Sequence, residues 1–466
     1  MHKKWWVLAS VACGTFMATL DSSIVNIGLP TLTKVLGTDL YRIKWVVVIY
    51  LLVITCCLLP FGRLSDQYGR KKTLLLGYAV FTLGSGLCGV SFNLFTLLIS
   101  RTLQGIGAAM LMANGPAVIT SNFPGNERGK ALGTLAMVVS AGLISGPSIG
   151  GFLITTLGWQ SIFLVNLPIG ILGLFWVKKN VPQDISHKSH GPFDLQGAFL
   201  QMVLILSFMG LVDPPKISVS GSEPLQISRL LTGIIVLIVG ALFFKIEKEV
   251  RAPLFDPSLL KIRSFLLANI ASFLTFISYS FLSILMPFYL EEVHHFTPDR
   301  AGLFMTAIPL TIFIIAPISG RLSDRLGSQE LSFMGAMVAS LSLFIMSGAF
   351  GLGMNDKTSS IDIVLALCAM GLGTGLFQSP NNSEIMSSVP HNKLGVASAL
   401  MAMIRNLGLG TGTALATGVF AWKQKILGDF IQAFHFSLWV SGVIAMGAMI
   451  TSLGKKRGPI QQGNSN

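Results

Sequence analysis

Two charged side chains sit where charge is costly. Asp21 lies inside the first long apolar run of the chain, and Arg101 lies inside the fourth. An ionisable group at membrane depth is a functional candidate by default. On a helix rising 1.5 Å per residue, Asp21 falls about 24 Å beyond Trp5, and Arg101 about 10 Å into a run that enters from the opposite side. In an apolar layer roughly 30 Å thick the two reach similar depths, so they can meet directly, through Gln104 or through water. A carboxylate balanced between burial and a neighbouring arginine can release its proton when an arriving substrate alters that balance. The same pair also reads as a static ion contact that aids packing, or as an aspartate at a wet helix end.

The elements that must position these residues follow from composition. The 466 residues are 52% hydrophobic and 11% charged, with a mean hydropathy of +0.69. Soluble domains carry roughly 25% charged residues, so the chain reads as an all-α membrane protein. Fourteen runs approach the roughly 20 apolar residues that a bilayer span needs: 5–30, 43–62, 73–92, 94–119, 131–155, 161–178, 194–213, 228–246, 265–290, 301–320, 331–351, 360–384, 395–420 and 434–453. The net charge of +13 is carried by short segments between runs, which excludes a nucleic-acid partner and sets the topology. Arg63, Arg70, Lys71 and Lys72, then Lys178, Lys179 and Lys188, then Lys455 to Arg457 fall on one side; Lys34, Lys216 and Arg300 belong to the poorer side. Both termini are therefore expected in the cytoplasm, with an uncleaved first helix and a disordered tail over 456–466. The five cysteines fall within apolar runs and no residues have metal-ligand spacing, so neither disulfide, metal nor cofactor is expected.

One stretch occurs twice. Gly62, Arg63, Leu64, Ser65, Asp66, Gly69 and Gly77 recur as Gly320, Arg321, Leu322, Ser323, Asp324, Gly327 and Gly335, at a constant offset of 258 residues. A gapless repeat at that separation in a membrane chain means two related halves, with a substrate site at their interface. The division expected is a bundle over 1–180, an inserted helix pair with linkers over 181–255, and a second bundle over 256–455. Gly62 and Gly69 read as brackets of a tight turn. Asp66 would either accept from the next helix start or pair with Arg70, making a conformational latch whose second copy is Asp324. Gly142, Gly146, Pro147 and Gly150 place small residues on one helical face with a bend between them, as close helix packing requires. Candidate cavity residues are Asn26, Asn114, Tyr279, Phe377, Gln378, Asn381 and Arg405, and Arg405 has Glu384 as one possible partner among several. No second carboxylate lies deep in the C-terminal runs, which speaks against a site for divalent cations.

Residues 62–77 resemble the loop signature of the major facilitator superfamily. Leu20 to Pro30 (LDSSIVNIGLP), Leu97 to Leu111, Gly142 to Gly151, Gly158 to Gly170 and Ser379 to Gly412 narrow the resemblance to its fourteen-helix drug:proton antiporter family. Departures are Ser23 for the usual Thr, Gln67 for Arg, Gln160–Ser161 for Arg-Trp, and the loss of the basic triplet at 328–330. The resemblance implies two pseudo-symmetric six-helix bundles plus the inserted pair. It implies roles in proton coupling for Asp21 and Arg101, and a leak-tight seam at Gly142–Gly151 that characterises exporters. The expectation is proton-gradient-driven efflux of drugs or other amphiphilic small molecules by alternating access, by a monomer in the cytoplasmic membrane, with room for an accessory protein. The alternatives are export of a specific metabolite, proton symport, or a transporter-like sensor. A membrane enzyme would need a clustered catalytic set, and the chain has none.

Overall fold

The computed structural model describes residues 2–182, 193–213, 216–217, 225–226, 229–250, 253–351, 353–390 and 393–454. Lys188, Arg251, Lys455 to Arg457, the tail 456–466, and the side chains of Lys216 and Asp324 lie outside what is described. Each of the fourteen apolar runs falls on helix. The helices are α1 (His2–Val35), α2 (Trp45–Tyr68), α3 (Arg70–Gly89), α4 (Leu94–Asn122), α5 (Gly125–Leu157), α6 (Asn166–Asn180) and α7 (Leu195–Val212). After them come α8 (Arg229–Glu249), α9 (Arg263–Phe288), α10 (Ala307–Leu326), α11 (Ser328–Met346), α12 (Ser360–Ser387), α13 (Leu394–Leu427) and α14 (Phe430–Leu453). Short helices Ser161–Leu164 and Pro298–Met305 lead into α6 and α10, and Leu40–Ile43 leads into α2. Among the described residues, twelve helices are long and apolar enough to cross a bilayer. α3 and α13 are 20 and 34 residues long. The protein is an all-α membrane protein.

Helices α1 to α6 pack on one another, and so do α9 to α14; α1 against α5 and α9 against α13 are corresponding pairs. The duplicated stretch explains this at atomic scale. Gly69 and Gly327 both adopt positive φ, 102° and 99°, which breaks the chain sharply between α2 and α3 and again between α10 and α11. A Cβ on Gly77 would lie 2.9 Å from Met110 Cβ on α4, and one on Gly335 would collide with the backbone of Phe377 on α12. Glycine is what lets each helix approach its partner. Gly62 corrects the sequence reading. It lies within α2 with open space around it, and Gly69 alone makes the turn. The end of the molecule carrying these two turns is called the loop end below, and the opposite one the far end.

The inserted pair is α7 and α8. α7 packs on α2 and α13, whereas α8 packs mainly on α7 and leaves Leu230, Leu237 and Ile238 exposed, as a lipid-facing helix would. At the far end Lys44 Nζ bonds Asp213 Oδ2 at 2.8 Å, with side chains 0% and 7% exposed. Tyr41 Oη donates to Asp213 Oδ1 at 3.0 Å, and the ammonium sits 3.8 Å from the Tyr41 ring centroid. Removing one partner of a buried pair leaves the other charge stranded. Lys44→Met should therefore lower stability by about 3–5 kcal/mol, seen as early melting of the purified protein. Lys44→Met combined with Asp213→Leu should recover much of that loss.

Candidate functional site

Asp21 and Arg101 meet, and they do not meet alone. Both are fully buried. Arg101 and Gln104 are three residues apart on α4 and so share a face. Arg101 Nη1 donates to Asp21 Oδ2 and, at 2.6 Å, to Gln104 Oε1. Gln104 Nε2 donates to Asp21 Oδ1 at 2.8 Å and to Ser85 Oγ at 2.6 Å. Asn166, the first residue of α6, donates to the same Asp21 oxygen at 3.0 Å. Three donors converge on the carboxylate, an arrangement suited to an anion. Gly84 makes room for it: a Cβ there would lie 2.6 Å from the Gln104 backbone nitrogen. Arg101 is held further by the Val46 carbonyl (3.0 Å) and by the Tyr50 ring, 4.0 Å from centroid to guanidinium. Tyr50 in turn donates to the Ala18 carbonyl, three residues before Asp21. Arg101 Nη2 and Asn166 Oδ1 are left buried without a partner.

Asp21 faces into the first bundle, and its chain neighbours face the other way. Ser22, Ser23 and Asn26, with Pro147 of α5, line a cavity of about 60 Å³ between the two sets of helices, opposite Tyr279, Ser283 and Pro287 of α9. A water occupies roughly 10–15 Å³ on this scale, so the cavity has room for a few waters and not for a drug-sized ligand. The glycine face of α5 lies against the same helix. A Cβ on Gly142 would meet Thr19, one on Gly146 would meet Ser23, and one on Gly150 would lie 2.7 Å from Ile24 and Ile27 side-chain carbons. α1 is thus shared by the Asp21 network, the glycine helix and the cavity. Any change in the network is one residue away from the cavity wall.

The cavity is closed at the far end by contacts between the two sets of helices. Asn26 Nδ2 donates to Ser283 Oγ at 2.9 Å, and Ser148 and Thr306 share a hydrogen bond of 2.5 Å. Gly151 lies against the Pro298 and Asp299 backbone, and Gly302 against the Pro147 carbonyl. α5 packs extensively on the Pro298–Met305 helix and far less on α10. At the loop end, Asp66 accepts from Arg70 Nη2 at 2.9 Å, and Arg70 Nη1 reaches the Ala117 carbonyl of α4 at 3.0 Å.

Of the cavity residues suggested by sequence, Asn26 and Tyr279 line it. The others sit elsewhere, because helix phase decides which way a side chain points. Asn114 is buried on α4, bonded to the Met110 carbonyl at 2.7 Å. Phe377 packs with Ala271, Ala336 and Ala448. Gln378 is half-buried, and Asn381 donates to the Ala268 carbonyl at 3.0 Å, pinning α12 to α9. Arg405 has no hydrogen-bond or ion-pair partner among the described residues, so the pairing with Glu384 does not form. Asn166, Ser85 and Tyr50 were missed. Asn166 alone had a signal, as an amide interrupting an apolar run. Glu291 was missed as well. It is 8% exposed, in a π-helical turn that continues α9 beyond the cavity residue Pro287, with Oε1 unpartnered.

An internally duplicated helical membrane fold enclosing a small cavity between its two halves, lined by serines, an asparagine and apolar side chains, is the architecture of a membrane transporter. Residues 11–413 match the family model of the Major Facilitator Superfamily, and the chain belongs to that superfamily. Its relatives include the riboflavin transporter RibZ of Clostridioides difficile (strain 630), 36% identical over 97% of this chain and 98% of that one. They also include the multidrug resistance protein Stp of Mycobacterium tuberculosis (strain CDC 1551 / Oshkosh), 30% identical over 91% and 78%. Among solved structures, a POT family transporter superposes with a TM-score of 0.70 at 17% identity, covering 97% of this chain and 96% of that one. The xylose transporter XylE from E. coli in a partially occluded inward-open conformation gives 0.65 at 15%, covering 97% of each. These two likenesses concern the fold.

Proposed function

We propose that the protein exports small amphiphilic molecules across the cytoplasmic membrane in exchange for protons. In this reading fourteen helices span, both termini are cytoplasmic, and bundles 1–180 and 256–455 rock about the central cavity. The observation that carries it is the buried Asp21–Arg101–Gln104–Asn166 network on the opposite side of α1 from Ser22, Ser23 and Asn26. A substrate pressing on that wall shifts α1, loosens the donors around Asp21 and changes its hold on a proton. The multidrug resistance proteins among the relatives support the choice of substrate class. The Asp66–Arg70 pair acts as a loop-end latch, and the sealed far end corresponds to a state closed toward the outside.

A second reading has its own support. The relative named as a riboflavin transporter matches nearly the whole chain at higher identity than the multidrug resistance protein quoted. Under it the substrate is one planar heteroaromatic metabolite rather than a range of drugs. Everted membrane vesicles with an acid interior separate the readings. Lipophilic cations and neutral antibiotics should each dissipate the acid load as they enter. If riboflavin alone does so, the single-metabolite reading stands. Substrate accumulation that neither moves protons nor responds to an imposed pH gradient would rule out antiport.

A further inference from the structure

The inserted pair carries two acids that face each other at its loop end. Asp194 caps α7, its Oδ1 accepting from Gly197 N at 2.8 Å. Glu247, near the end of α8, accepts from Phe255 N at 3.2 Å through Oε2. The remaining oxygens, Asp194 Oδ2 and Glu247 Oε1, are buried without a hydrogen-bond partner, on residues 8% and 1% exposed. Both point at one spot: a Cβ on Gly197 would touch Asp194 Oδ2 and lie 2.7 Å from Glu247 Oε1. Glycine at 197 is what lets the oxygens converge. From outside the pair, the charge that acts on Glu247 is that of Arg63 on α2. Its guanidinium is committed to the Pro253 carbonyl at 2.6 Å and makes no ion pair with either acid.

Two carboxylates with bare oxygens converging in a buried place repel strongly if both are charged. One small cation between them removes the repulsion. A proton suffices, since it turns one oxygen into a donor for the other. No third His, Cys, Asp or Glu completes a metal-binding set among the described residues. We infer that Asp194 and Glu247 form a one-proton site at the loop end of the inserted pair, exchanging with water on that side. With the proton bound, α7 is tied to α8, and through Phe255 and the Arg63–Pro253 contact both are tied to α2 just before the Gly69 turn. Without it, repulsion loosens the joint. The site is separate from Asp21 and does not depend on what is transported.

The test reads stability of the full-length protein purified in detergent, without any transport measurement. The folded pair holds a proton that the separated carboxyls of the unfolded chain have already released. The stabilisation is therefore present in acid and lost as pH rises. Between about pH 5 and pH 9 in choline chloride the melting temperature should fall by about 3 °C or more from this source. Glu247→Gln and Asp194→Asn, which keep shape and the α7 cap, should each flatten that fall, and the double variant no further than either single one. A native pH slope retained in both single variants overturns the site. Sodium chloride raising the melting temperature of the native protein at high pH, but not that of Glu247→Gln, would also overturn it, in favour of a metal cation.

Discussion

Asp21→Asn should fold, insert and bind substrate, yet lose substrate-evoked proton movement by about tenfold or more, a difference of 1.4 kcal/mol. The substitution keeps the side chain's shape and one acceptor oxygen for Arg101. Its new NH2 faces Gln104 Nε2 and Asn166 Nδ2, which are both donors, so one amide has to turn or stay unpaired, at about 1–3 kcal/mol. Arg101→Met is harsher. It strands the buried carboxylate and should destabilise by about 3–5 kcal/mol. The double variant decides between the two meanings of the pair. With both charges gone, most of the lost stability should return. If Asp21 and Arg101 only hold helices together, the double variant will couple protons like the native chain. If Asp21 carries the proton, it will be stable and uncoupled. Melting curves and vesicle proton flux on all four proteins complete the cycle.

The fold was legible because its signals are physical and long-ranged. Apolar runs of about span length marked the long helices. The offset repeat gave the two halves, since Gly69 and Gly327 need positive φ and Gly77 and Gly335 need bare backbone. The Asp21–Arg101 meeting could be anticipated from depth alone. What depth cannot supply is rotation about the helix axis. Asn26 and Tyr279 line the small cavity, whereas Phe377 and Asn381 meet neighbouring helices and Asn114 bonds back to its own; all five are polar or bulky residues in apolar runs. Ser85 joins the network through Gln104, where Gly84 lets α3 and α4 touch, and Asn166 reaches Asp21 from α6; these are meetings of separate helices that no spacing along the chain encodes. Gly62 shows the converse error, since a glycine in a loop motif need not be the one that turns. Glu291 escaped because it lies just past the end of an apolar run, where helix continues as a π turn.

Gly151→Val should separate two functions that sequence places on one helix. Gly142, Gly146 and Gly150 press on α1 within one set of helices, but Gly151 points the other way. A Cβ there would run into the Pro298 carbonyl and lie 2.8 Å from Asp299 Cα. Those are backbone atoms at a helix start, and they yield only if the Pro298–Met305 helix moves away from α5. The added side chain therefore penalises the far-end-closed state and leaves the interior of each bundle alone. Shifting the balance of two states from 1:99 to 99:1 takes about 5.5 kcal/mol, and a backbone collision that only separation relieves acts in that direction. The expected result is a loss of transport of about tenfold or more, with a melting temperature close to native. A cysteine placed at Ser148, whose hydroxyl bonds Thr306 across the seam, should become more reactive to a membrane-impermeant maleimide. Gly146→Val is the control. It forces α1 and α5 apart at Ser23 and Ile24 and should cost about 1–3 kcal/mol of stability through overpacking, without a selective rise in labelling at position 148. Equal melting losses in the two valine variants, or labelling unchanged by Gly151→Val, would mean that the α5 contact with Pro298–Met305 is ordinary packing and that the seam opens elsewhere.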